Sequence, residues 1–241
     1  LAAAPADWTA HHNLSLALAQ QSRWPEAAGH ALAAFAQRPQ DAAVRWQAAL
    51  ALKNAGFLPD AARPFFSEET PGPRAALALR LAPAVWQFAA VLAAFLAAAA
   101  LALLLWRAYA AASLENFSSL PRRSTPNLSN SPSQISTQLA RARWLPPFAA
   151  ALLVSAALLG AAAASSLRLY GPLADARAGL VWQGSVLRSI PTEADTEQKT
   201  VPLSPGLVAL DEGRPFLGWR RLAFPNGQTG WVRQEVLVRL W

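Results

Sequence analysis

The chain has no cysteine and no methionine. The first absence excludes disulfides, thiolate metal sites and cysteine nucleophiles. The second holds even at position 1, so the sequence is read as a processed chain or a fragment. Histidine is nearly missing too: His11, His12 and His30 are the only three. Side chains of the adjacent pair point about 100° apart on a helix, and no metal or other cofactor is expected. No serine or threonine lies in a nucleophile-elbow context. No carboxylate pair falls in a glycine-rich pocket, and no GxxxxGK loop is present. Catalysis is therefore not expected.

Charge is the most unevenly distributed commodity. None occurs over 81–106 or over 144–167, and arginines close both runs: Arg80 and Arg107, Arg143 and Arg168. Each run supplies the roughly 20 apolar residues that cross a ~30 Å hydrocarbon core. Ten large apolar residues in the first run, Val85 to Leu105, favour insertion by roughly 3 to 6 kcal/mol. Trp86 and Trp106 bracket it about 30 Å apart along a helix, and Trp144 opens the second. The two tyrosines, Tyr109 and Tyr170, fall just past the spans, as rings at a membrane interface do. Small residues at four-residue spacing, Ala94, Ala98 and Ala102 in one span and Ala156, Gly160 and Ala164 in the other, offer a face for close helix contact. Without ionisable groups inside the spans, transport is not expected.

The net charge of +7 divides into +1 over 1–80, +4 over 107–143 and +2 over 168–241. A basic loop between two spans is a topology signal rather than a nucleic-acid one, and no basic face interleaved with aromatics appears. The loop is expected to be cytoplasmic, with both termini across an inner (cytoplasmic) membrane. Its Ser-, Pro-, Asn- and Thr-rich stretch is expected to be disordered, with a short amphipathic helix over 134–143. Residues 1–6 read either as the tail of a signal peptide, with Ala4-x-Ala6 as the cleavage pattern, or as an ordinary alanine-rich start.

A repeat appears over 7–80 when the chain is slid by 34 positions. Trp24-Pro25-Glu26-Ala27 falls on Leu58-Pro59-Asp60-Ala61, Leu18 on Leu52 and Pro39 on Pro73. This resembles the tetratricopeptide repeat. The resemblance implies small residues where paired helices cross (Ala27, Ala61) and prolines ending second helices (Pro39, Pro73). His11 and Arg45 stand where the pattern has tryptophan. Residues 74–82 are expected to form a capping helix that breaks at Pro83 into the first span. On the family pattern the inward faces of the first helices line a partner groove: His12, Leu16 and Gln20, then Trp46, Leu50, Lys53 and Asn54. Helix-on-helix packing is the alternative role for the leucines.

From 176 the texture changes to short β-branched and aromatic runs punctuated by glycine and proline, which predicts a small barrel. The expected strands are 178–187, 200–201, 207–210, 218–222, 229–232 and 236–240. Leu187-Arg188-Ser189-Ile190-Pro191, Leu203 to Val208, and Asn226-Gly227-Gln228-Thr229-Gly230-Trp231-Val232 resemble the bacterial SH3-like domain. Gly230 is read as a bend and Trp231 as a main core residue. Trp219, Arg220, Arg221 and Phe224 are candidate ligand contacts; the other reading makes Trp219 core and the arginines solvated.

The expected fold is thus a multidomain membrane protein: residues 7–80 an α-helical solenoid fragment, 81–106 and 144–167 two transmembrane helices, 107–143 the loop, 168–175 a linker and 176–241 a small all-β SH3-like barrel. In this order the parts resemble the BatE family of the Bacteroides aerotolerance proteins. That resemblance implies a membrane-anchored, non-enzymatic adaptor beside von Willebrand A-domain membrane proteins and a MoxR-type ATPase, with a role in envelope or oxidative stress tolerance. A peptidoglycan-binding sensor and an assembly chaperone are the other expectations.

Overall fold

The computed structural model describes residues 6–67, 70–118, 145–194, 198–213 and 215–241, the backbone alone for 110–118 and Leu145. The basic loop from 119 and its expected amphipathic helix lie outside the described residues, as do 1–5 of the segment read as a signal remnant or an alanine-rich start. The chain forms two compact units. One comprises Leu1–Gln87 with Ala164–Trp241, the other Phe88–Ala163.

In the first unit three helices come first: α1 (Trp8–Gln20), α2 (Trp24–Gln37) and α3 (Ala42–Ala55). Asp7 caps α1 by accepting from the Thr9 and Ala10 amides, and Asp41 caps α3 by accepting from Ala43 and Val44, each satisfying orphan donors of a first turn. The α2 interior is almost entirely small and buried, with Ala27, Ala28, Ala31, Ala33, Ala34 and Ala36 around Leu32 and Phe35. Ala27 is buried as the repeat pattern requires. The second repeat departs from that pattern. Instead of a full helix, a 3-10 turn (Asp60–Ala62) leads into α4 (Arg63–Phe66), only four residues long. Pro59, Pro64, Pro71 and Pro73 withhold amide donors across this stretch, so a long helix cannot propagate. Pro73 does not end a helix; it begins α5 (Pro73–Ala78), where a missing N–H costs nothing. The break before Pro83 occurs as expected, and α6 (Pro83–Ser118) follows.

After α7 (Leu145–Tyr170) and a 3-10 turn (Gly171–Ala174) comes an antiparallel sheet: β1 (Ala178–Val181), β2 (Ser185–Arg188), β3 (Thr200–Leu203), β4 (Leu207–Asp211), β5 (Trp219–Ala223), β6 (Thr229–Arg233) and β7 (Leu237–Arg239). Their order is β3-β2-β6-β5-β4-β1-β7, with the sheet open between β3 and β7. The expected first strand is two strands, broken at Trp182-Gln183-Gly184. The core is Val181, Leu187, Leu203, Ala209, Leu222, Phe224, Val232 and Val236. Trp231 is not in it: the ring is half-buried and meets Phe216 edge-on. Gly230 serves close approach more than bending, since a Cβ there would lie 2.7 Å from Leu187 Cγ and 2.8 Å from the Arg188 carbonyl oxygen. The Asn226-Gly227 turn forms as expected, with Gly227 at φ 81°. The Phe224 amide donates to the Gln228 carbonyl.

Helices and sheet, expected as separate modules, share one interior. At Gly29 of α2 a Cβ would lie 3.0 Å from Val238 Cγ2 on β7, and Gln37 Nε2 donates to the Leu240 carbonyl at 2.8 Å. Phe35 meets Phe65 and Phe66, and Phe65 meets Tyr170 with centroids 4.8 Å apart. Tyr170 is fully buried, and its hydroxyl donates to the Ala78 carbonyl at 3.1 Å; Trp86 Nε1 donates to that same oxygen at 3.0 Å. These two rings therefore secure the end of α5 and are not interfacial. Trp106 and Tyr109 are exposed, as interface rings should be.

The second unit holds most of two helices long and apolar enough to cross a membrane, Pro83–Tyr109 and Pro146–Ala174. The helices outrun the expected spans at their ends, since apolar or helix-favouring residues continue to Ser118 and Tyr170. Small residues are inside and large ones outside. Ala89, Ala93, Ala100, Ala149, Ala156 and Ala163 are buried while Phe88, Val91, Phe95, Leu105, Phe148 and Leu158 are exposed. In water each such exposed side chain would forgo about 1.5–3 kcal/mol; in hydrocarbon it forgoes nothing. The contact face differs from the expected one: Ala94, Ala98, Ala102 and Ala164 point outward. Gly160 faces Ala93, whose Cβ is 3.6 Å from where a glycine Cβ would be.

Candidate functional site

A cavity of about 710 Å³ opens beside α3. Its wall on one side is a stripe along that helix: Ala42, Trp46, Ala49 and Lys53, spaced four, three and four residues apart. Such spacing aligns side chains on one helical face. The opposite wall is Phe57, Leu58, Phe65, Phe66 and Pro71, from the proline-rich segment. The cavity exists because α4 is too short to cover α3. Trp46 is 64% exposed, an unusual state for so large a ring in a folded unit. The charged side chains that line the cavity among the described residues are basic. Arg45 and Lys53 line it, and no acidic residue does so among the described residues. Arg45 is held by the α2–α3 linker, its guanidinium donating to the Pro39 and Gln40 carbonyls at 3.0 Å each.

The expected partner groove is divided. Trp46 and Lys53 line the cavity, whereas His12, Gln20 and Asn54 do not. Asn54 donates back to the Leu50 carbonyl of its own helix at 2.8 Å. Gln20 is exposed at the end of α1. His12 is half-buried, with no hydrogen-bond partner for Nδ1 among the described residues. Sequence reading missed Phe57 and Phe66. The signal that would have found them is the density of proline between 59 and 73, which forbids the second-repeat helix and leaves the aromatics facing an uncovered α3.

A second cavity, of about 310 Å³, lies where α1 and α2 meet the sheet, lined by His11, Glu26, His30, Arg220, Glu235 and Arg239 among others. His11 Nδ1 and His30 Nδ1 are 2.9 Å apart, so one imidazole donates and the other accepts. Burial, then the neighbouring His11, pulls His30 down to about 4. In place of the tryptophan of the repeat pattern, His11 thus bonds α1 to α2, and Gln47 Nε2 donates to Ser15 Oγ at 3.0 Å to bond α3 to α1.

Of the four candidate contacts on the sheet, two are interior. Trp219 is 4% and Phe224 7% exposed. The Arg233 guanidinium stacks on the Trp219 ring at 4.5 Å. Arg220 bonds Asp211 at 2.7 Å with both side chains largely buried, so it is not simply solvated. Arg221 is exposed beside Glu212 at 3.5 Å. Of the four, Arg221 alone is exposed, and it is paired with Glu212.

Set against family models, curated proteins and solved structures, the chain matches none.

Proposed function

We propose that this chain is a non-enzymatic membrane-anchored adaptor that recruits protein partners through the cavity beside α3. One observation carries the reading: an aromatic cavity lined by Arg45 and Lys53 stands open, with Trp46 exposed, in a chain whose two long apolar helices turn their large side chains outward. On this reading the helices are a tetratricopeptide-like fragment, the sheet is an SH3-like domain, and both termini lie across an inner membrane from the basic loop. Two spans return the chain to its starting side, which agrees with residues 1–87 and 164–241 forming one unit. The order of parts supports the BatE-like resemblance, and with it A-domain membrane proteins and a MoxR-type ATPase as partners in envelope or oxidative stress tolerance. A peptidoglycan sensor gains little from Trp219 and Phe224, which are buried.

Co-purification from native membranes tests this. Trp46→Ala and Lys53→Glu should each remove partners retained by the parent chain. Retention of every partner by both variants would overturn the adaptor reading.

A further inference from the structure

We propose that the occupant of the cavity beside α3 is an acidic amphipathic helix supplied by a partner protein. The proposal rests on the adaptor reading and specifies what that surface takes. The uncovered stripe from Ala42 to Lys53 runs along three turns of α3, or about 17 Å at 1.5 Å per residue. That length suits a helix of comparable length lying alongside. Ala42 and Ala49 are small and flank Trp46, so a second helix can approach closely above and below the indole, as ridges settle into grooves. Opposite them, Phe57, Phe65 and Phe66 supply the far wall. This is the place that a longer second-repeat helix would occupy, and Pro64 with its neighbouring prolines prevents the chain from filling it itself. The charge picks the flank of the incoming helix. Arg45 already donates to two carbonyls of the linker. Lys53, exposed in the last turn of α3, takes part in none of the ion pairs of the described residues. A carboxylate at i, with leucines at positions that face Trp46 and the phenylalanines, satisfies both demands. A basic helix would set like charges against Arg45 and Lys53.

The test uses the full chain in phosphatidylcholine nanodiscs and three fluorescein-labelled synthetic peptides. The first is a helix with leucines at i, i+3, i+4 and i+7 and glutamates on the flank. The second has lysine for glutamate, and the third carries a central proline that breaks the helix. Anisotropy should show saturable binding of the first, with the second and third weaker by at least about tenfold. Lys53→Glu should reverse the preference between glutamate and lysine peptides, and Trp46→Ala should weaken the glutamate peptide by about tenfold. Both positions are exposed, and unchanged melting temperatures will show that the variants fold. The proposal is overturned by equal binding of the two charged peptides, by preference for the proline-broken peptide, which signals an extended occupant, or by no saturable binding. It is equally overturned if the labelled helix is displaced only by self-association of the chain. Each of these leaves the adaptor reading standing if co-purification still depends on Trp46.

Discussion

At the scale of single residues, the polar groups inside the first unit make the sharpest claims. His30 sits near 4, below its ordinary value, because burial and then His11 disfavour its charged form. Between those two values the unfolded chain binds more protons than the folded one. Stability from this group is complete above about 6.5 and is lost as pH falls toward 4, by about 3 kcal/mol at most. Urea unfolding in detergent at pH 7.5 and 5 should show the loss, and His30→Asn should flatten it relative to the parent; an identical slope in the variant would contradict the assignment. The Arg220–Asp211 pair gives a second claim. Arg220→Met strands a buried carboxylate and should cost about 3–5 kcal/mol, while adding Asp211→Asn should recover most of it. A single-variant loss below about 1 kcal/mol would show the pair to be solvated. Neither pairing was legible in the sequence, because His11 and His30 are 19 positions apart and Arg220 reads as an ordinary surface arginine. What was legible is the small side chain at Ala27, which the repeat spacing asks for, and the place of Trp46 on the open face of its helix.

Among elements, the packing of α2 on β7 decides whether the helices and the sheet act together. A side chain at Gly29 meets Val238 at 3.0 Å already at its Cβ, so Gly29→Val should destabilise by about 1–3 kcal/mol. Melting and limited proteolysis would register this; an unchanged melting temperature and cleavage pattern would show that the contact contributes nothing. In the hairpin, a Cβ at Gly160 finds ordinary contact with Ala93 at 3.6 Å. Gly160→Ala should therefore be neutral in thermal stability while Gly160→Phe lowers it, and equal effects would place the contact elsewhere. Apolar runs made both long helices legible, and short β-branched and aromatic runs between glycines and prolines, with an Asn-Gly turn, made most of the strands so. The contact face between the spans was not legible, since alanine occurs on every side and only packing selects Ala89, Ala93 and Ala100. The second-repeat helix was overestimated because the 34-residue register outweighed four prolines. Tyr170 and Trp86 were misplaced at the interface because a ring near the end of a span serves equally well to bond the Ala78 carbonyl.

At the scale of the whole chain, residues 1–87 and 164–241 form one folded unit although two long apolar helices separate them in sequence, and the proposed role as an anchored adaptor requires both flanks on one side of a bilayer. The absence of native cysteine permits a direct measurement. Gln20→Cys, Thr125→Cys and Asn226→Cys, made singly, are exposed in intact cells to a thiol reagent that cannot cross the membrane, with lysed cells as the reference. Positions 20 and 226 should label in intact cells and position 125 only after lysis. Labelling of 20 and 226 from opposite sides, or recovery of the chain in the soluble fraction without detergent, would contradict the account.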